Sequence, residues 1–156
     1  MRKILNPWIG KDGYHCFGCC PENETGLKLE FFEDGQDVLT RFLPHSEHQG
    51  WNGMLHGGIS ATLLDEAMGW AVMRFLSTTG VTARMELRYS KPVLLTQGQV
   101  EVRARIKETR GRLAYLEAEI RSPRKEVLVT ATATYFLFDK DEARKMGMEP
   151  MRTVEI

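Results

Sequence analysis

Apolar and polar residues alternate with a period of two through the second half of this chain. Val81, Ala83, Met85, Leu87 and Tyr89 alternate with Thr82, Arg84, Glu86 and Arg88, which predicts a half-buried strand with Thr82 on its polar side. Val100, Val102, Ala104 and Ile106 interleave with Glu101, Arg103, Arg105 and Lys107. After a turn at Arg110-Gly111, Ala114, Leu116, Ala118 and Ile120 repeat the pattern, and Ser122-Pro123 breaks it. A last run, Val127 to Phe138, sets Val129, Ala131, Ala133 and Tyr135 against three threonines. Two earlier strands are predicted at Leu27 to Phe32 and Val38 to Leu43. Between them and the later strands lies Gly57 to Met73, apolar on nearly every face, which is the pattern of a core helix. Two strands, one long helix and four strands predict an antiparallel sheet wrapped around a central helix, an α+β fold. Residues 1–156 read as one domain, with 1–26 as an N-terminal lead. Residues 139–156 form a charged, Met-rich tail without clear periodicity, expected to pack on a neighbour.

The helix carries the candidate chemistry. Its only ionisable residues between Gly57 and Met73 are Asp65 and Glu66. Desolvating an ionised carboxylate costs several kcal/mol unless it is paired or hydrogen-bonded, so a carboxylate near the middle of a core helix is a candidate for catalysis. The bland alternative is a polar edge that faces water. At the start of the helix, Gly57 and Gly58 follow His56. Glycines let a ligand approach the backbone closely, and the free amides of a first turn favour a negative or polarised oxygen. The Gly57 amide is thus a candidate oxyanion donor. Gly57 and Asp65 are eight residues apart, about 12 Å along one helix at ~1.5 Å per residue, too far to serve one small reacting group. Two helices placed antiparallel across a twofold axis would bring Gly57 of one copy near Asp65 of the other. A homo-oligomer, either a dimer or a dimer of dimers, is therefore expected.

The stretch Gly50-Trp51-Asn52-Gly53-Met54-Leu55-His56-Gly57-Gly58, followed after six residues by Asp65-Glu66-Ala67-Met68-Gly69, resembles the signature of hotdog-fold acyl-CoA thioesterases. Thr82 to Pro92 is similar to the family's second landmark. Cys16-Phe17-Gly18-Cys19 with Gly26-Leu27 resembles the lead of one branch, and the likeness spans roughly residues 14 to 138. The resemblance implies a hotdog fold and hydrolysis of an acyl-CoA. It implies Asp65 as general base or nucleophile, Gly57 as the amide that polarises the thioester carbonyl, His56 as the residue orienting that turn, and Thr82 as a hydroxyl that positions water or substrate. Many relatives carry an Asn where this chain has Gly50, and the nearest Asn is Asn52. Glu66 rivals Asp65, since adjacent residues lie about 100° apart on a helix.

Other residues extend or limit that picture. Gly58 and Glu66 are candidate substrate contacts. Arg84, Arg88 and Lys91 are candidates for the phosphates of coenzyme A, against the alternative that they form a solvated strand face paired with Glu86. His15-Cys16-x-x-Cys19-Cys20 could begin a zinc site. No second Cys pair exists, however, and four ligands would have to come from this one short loop or borrow His45 or His48. The Cys segment is therefore expected as a buried lid beside the acyl pocket, with no metal and no cofactor, and a disulfide is disfavoured in a reducing compartment. With 42% hydrophobic residues in 156 and zero formal net charge, the chain can bury a sizeable core and shows no bias toward nucleic acid or an anionic membrane. Lacking a membrane-length apolar run, it is expected to be cytoplasmic. Trp51, Met54, Met68, Trp70 and Met73 are candidate pocket residues. A non-catalytic acyl-CoA binder or regulator on the same fold is the alternative from another class. A hotdog hydratase would want an Asn-His step, and none occurs.

Overall fold

A computed structural model describes residues 1–156. In chain order it contains β1 (Arg2–Ile4), β2 (Phe31–Asp34), β3 (Asp37–Phe42), α1 (Gly57–Leu76), β4 (Gly80–Tyr89), β5 (Val100–Arg110), β6 (Leu113–Arg121), β7 (Val127–Leu137), α2 (Lys140–Lys145) and β8 (Thr153–Glu155). The strands form one antiparallel sheet in the order β4-β7-β6-β5-β3-β2-β1-β8. Helix α1 lies across one face of it, so the α+β architecture expected from the alternation is present, in the hotdog arrangement that the resemblance implies.

Register explains the core. Val102 sits opposite Ile120 and Ala104 opposite Ala118, while Ile120 and Ala118 face Val129 and Ala131 on the next strand. These rows bury almost completely against Leu63, Leu64, Ala67, Met68 and Ala71 of α1. Small residues in the middle rows let the helix approach the sheet. Truncating Leu63 or Leu64, both fully buried, would leave a cavity that costs about 2–5 kcal/mol. Met68 is a core residue rather than a pocket residue, while Trp70 is buried, stacked on Phe31 at 4.5 Å and edge-on to Trp8 at 6.2 Å, and also lines a cavity beside the N-terminal lead. The helix ends where Ser77 takes a left-handed backbone, φ 53°.

Three expectations are corrected. The expected strand at Leu27 to Phe32 begins only at Phe31: Leu27 and Leu29 are buried, but Lys28 between them has φ 54°, which takes the chain off the ladder. The tail 139–156 packs on its own chain: Asp139 caps α2, and β8 pairs with β1 through Arg2–Glu155, Lys3–Val154 and Ile4–Thr153. Finally, β4 is not a strand of strict period two. A bulge falls between Thr82 and Arg84, so Thr82 faces Tyr135 while Met85 faces Ala133. Thr82 therefore shares the helix-facing side with Met85, and Arg84, Glu86 and Arg88 point the other way. No helix is long and apolar enough to cross a membrane.

Candidate active site

Two groups of side chains, at opposite ends of the first three turns of α1, carry the candidate chemistry. The first is the helix N-terminus. His56 is the N-cap, and its Nδ1 accepts the Gly58 N–H at 2.9 Å, while the His56 amide donates to the His48 carbonyl at 2.8 Å. Gly50 lies so close that a Cβ there would sit 3.1 Å from the His56 Cα, so a larger residue at Gly50 would crowd this turn. The Tyr89 hydroxyl donates to the Gly57 carbonyl at 2.7 Å, and burial raises the Tyr89 pKa, keeping it a donor. With its carbonyl and both neighbours fixed, the exposed Gly57 amide donates to no group of the chain. Gly57 lines a cleft of about 830 Å³ together with Trp51, Met54, His56, Tyr89 and Lys91, among others.

The second group surrounds Asp65. Its Oδ1 accepts the Thr82 hydroxyl at 2.6 Å and the Tyr135 hydroxyl at 2.6 Å, and Tyr135 also reaches the Asp65 carbonyl oxygen at 2.8 Å. Three elements meet here: α1 supplies the carboxylate, the β4 bulge turns Thr82 inward, and β7 supplies Tyr135 from the apolar row. Burial and the Asp65 charge together push the Tyr135 pKa well above its ordinary 10.0, so Tyr135 stays protonated and donating. The Oδ2 of Asp65 takes no hydrogen bond from the protein. A carboxylate pinned through one oxygen with the other free can accept a proton or attack a carbonyl.

Of the residues singled out in the sequence, the structure brings Asp65 and Thr82 together, and separately His56, Gly57, Gly58 and Lys91. Lys91 lines the first cleft and pairs with Glu126. The two arginines go elsewhere. Arg84 and Arg88 lie on the sheet face opposite Asp65, because the bulge reverses the alternation, and Arg84 pairs with Glu86 there. Glu66 is likewise separate, its Oε1 accepting the Trp70 indole N–H at 3.3 Å and the Cys16 thiol at 3.4 Å. That side of α1 is covered by the Cys segment, with Met73 lining the same cavity. The hydrogen bond with Cys16 and burial push the Cys19 thiol up. Tyr135 was not a candidate in the sequence; the one signal was an aromatic hydroxyl in an otherwise small, apolar row, and a buried Tyr usually finds a polar partner.

Comparison with known proteins follows the same geometry. The family model described as the thioesterase superfamily matches residues 52–129, which span the Gly57 turn, Asp65 and Thr82. The acyl-coenzyme A thioesterase THEM4 of Rattus norvegicus is 32% identical over 124 residues, 76% of this chain and 53% of that protein. The same-named protein of Bos taurus is 30% identical over 77% of this chain and 51% of its own. The chain thus spans about half the length of the curated relatives it matches. Among solved structures, a thioesterase superfamily protein superposes with a TM-score of 0.72 at 25% identity over 78% of this chain and 62% of its own. A Bacillus halodurans protein crystallised with CoA superposes at 0.63 with 27% identity, over 72% of this chain and 74% of its own.

Proposed function

This chain belongs to the thioesterase superfamily, and from that premise we propose that it hydrolyses an acyl-coenzyme A to a carboxylic acid and free CoA. The observation that carries the reading is the Asp65 carboxylate, held through Oδ1 by Thr82 and Tyr135 with Oδ2 free. The names of the THEM4 relatives and the CoA held by the Bacillus halodurans protein support the choice of substrate class.

In one route Oδ2 takes a proton from water as the water oxygen attacks the thioester carbon. Electron density moves onto the carbonyl oxygen, which an unpaired backbone amide stabilises. Collapse of the tetrahedral intermediate breaks the C–S bond, and the proton on Asp65 goes to the departing thiolate. In the other route Oδ2 itself attacks the thioester carbon, the C–S bond breaks to release the CoA thiolate, and water hydrolyses the resulting acyl anhydride, freeing the acid and the Asp65 carboxylate and supplying the thiolate's proton. Both need the same fixed carboxylate.

The amide cannot come from the same helix. Gly57 lies about 12 Å from Asp65 along α1, so a complete site takes Gly57 from one subunit and Asp65 from its partner. Two features support this arrangement: the Gly57 amide has no acceptor in its own chain, and β4, beside Asp65, is a sheet edge of 10 residues. A long unpaired edge of this kind is a template for pairing with a second copy. Lys91 at the cleft mouth suits a phosphate of the CoA. The substrate enters a cleft already lined by Trp51 and Met54.

The test is release of free thiol from a panel of acyl-CoA esters of different chain length and of aromatic acyl groups. Turnover of at least one ester that disappears in Asp65→Asn supports the reading. CoA binding without thiol release from any ester would overturn it in favour of a non-catalytic acyl-CoA binder.

A further inference from the structure

We propose that Cys16, Cys19 and Glu66 form a binding site for one Zn²⁺ ion that clamps the N-terminal lead to α1. One ligand atom from each residue lies within 4.8 Å of the other two, with Cys16 Sγ 3.4 Å from Glu66 Oε1. Zn–S bonds of about 2.3 Å and Zn–O bonds of about 2.1 Å, set at tetrahedral angles, place neighbouring ligand atoms about 3.6–3.8 Å apart. The cluster therefore needs only small side-chain shifts to close on an ion. Two thiolates in the set select a soft, borderline ion such as Zn²⁺ over Ca²⁺ or Mg²⁺.

The backbone holds this set together before any ion arrives. The Cys20 amide donates to the Cys16 carbonyl at 3.1 Å, closing the Cys-x-x-Cys turn, and Leu27 and Leu29 donate to the carbonyls of Phe17 and Gly18 at 2.8 and 2.9 Å. Gly18 lies directly on Glu66: a Cβ there would be 2.4 Å from the Glu66 Cδ. The loop thus reaches the carboxylate as only glycine can. Sequence spacing could not reveal the third ligand, which comes from a helix far along the chain. His15 and Cys20 do not join, as His15 is exposed and the Cys20 thiol is turned to the Tyr14 carbonyl at 3.6 Å. Three protein ligands leave a fourth position for water, on the side of a cavity lined by Trp8, Tyr14, Trp70 and Met73. The site uses none of the residues assigned to thioester hydrolysis, so it stands or falls independently of that reading.

Full-length protein is reduced with a non-chelating phosphine, exchanged into Zn²⁺ or Co²⁺, desalted and analysed. One Zn²⁺ per chain by mass spectrometry is expected, with a thiolate-to-cobalt charge-transfer band and intense tetrahedral visible bands for the Co²⁺ form. Competition with a chromophoric chelator should show Cys16→Ser, Cys19→Ser and Glu66→Gln each weakening Zn²⁺ binding at least about a hundredfold, more than loss of an outer-shell partner. Cys20→Ser should bind as the unsubstituted chain does. Circular dichroism checks that each variant is folded, and the cobalt spectrum of the unsubstituted chain stands without any variant. Failure of the reduced chain to take up Zn²⁺, whether or not a Cys16–Cys19 disulfide forms on oxidation, overturns the proposal. So does Glu66→Gln binding with unchanged affinity, or a cobalt spectrum without a thiolate band.

Discussion

Asp65 receives both of its side-chain hydrogen bonds on one oxygen, so substitutions around it separate position from chemistry. Asp65→Asn keeps the shape and removes the base, and turnover of the best acyl-CoA should fall at least about a hundredfold with the fold intact. Glu66→Gln, on the far side of the helix, should cost far less in the same thiol-release assay. Thr82→Val, nearly equal in volume, removes one positioning bond and should lower kcat roughly ten- to a hundredfold with little change in stability. Tyr135→Phe tests the donor hidden in the apolar row. Because the Tyr135 pKa is raised in the folded chain, the native state holds its proton at pH values where the unfolded state loses it. Its stability contribution is complete below about pH 10 and fades above that value. Urea unfolding from pH 9 to 11 should therefore show a smaller alkaline loss for Tyr135→Phe than for the unsubstituted chain. Asp65, Gly57, His56 and Thr82 were legible as candidates because each belongs to a local motif. Tyr135 was not, since its bond to Asp65 joins positions 70 apart and is made only when β7 is laid under α1.

At the scale of the element, the alternation that predicted β4 to β7 is what buries those strands, and it located every long strand, while the apolar faces of Gly57 to Met73 located the central helix. It failed where length or parity failed. Strands β1 and β8 have three residues each, too few to show a period, and exist only because they pair with each other and β1 with β2. In β4 the period is present in the letters, but the bulge near Ala83 shifts the phase, so the apparent polar side of Thr82 is its buried-facing side. Deleting Ala83 would remove the extra residue and leave Thr82 opposite Tyr135 in a regular ladder, still on the helix-facing side. The expected result is a folded protein by circular dichroism whose kcat, measured by thiol release, falls less than that of Thr82→Val.

The whole molecule makes the strongest prediction about the shared site. Pro is tolerated at the first position of a helix, and His56, with φ −59° and ψ 132°, already has the backbone that a residue before Pro adopts. Gly57→Pro should thus fold while losing the oxyanion amide. Mixing it with Asp65→Asn and allowing subunits to reassociate should give half mixed dimers, each with one site carrying both defects and one carrying neither. Thiol release should rise from near zero to roughly a quarter of the unsubstituted rate. Mixed dimers that stay inactive, with their formation verified by native mass spectrometry, would mean each subunit builds its site alone. The sheet also has two very unequal ends: β4 offers 10 residues of ladder and β8 offers three. Edge pairing needs length to hold, so in the dimer proposed above each subunit pairs only once through its sheet. Once two β4 strands have joined, what remains outward at both ends is the stub of β8, and sheet growth terminates at the pair instead of running on into a fibre.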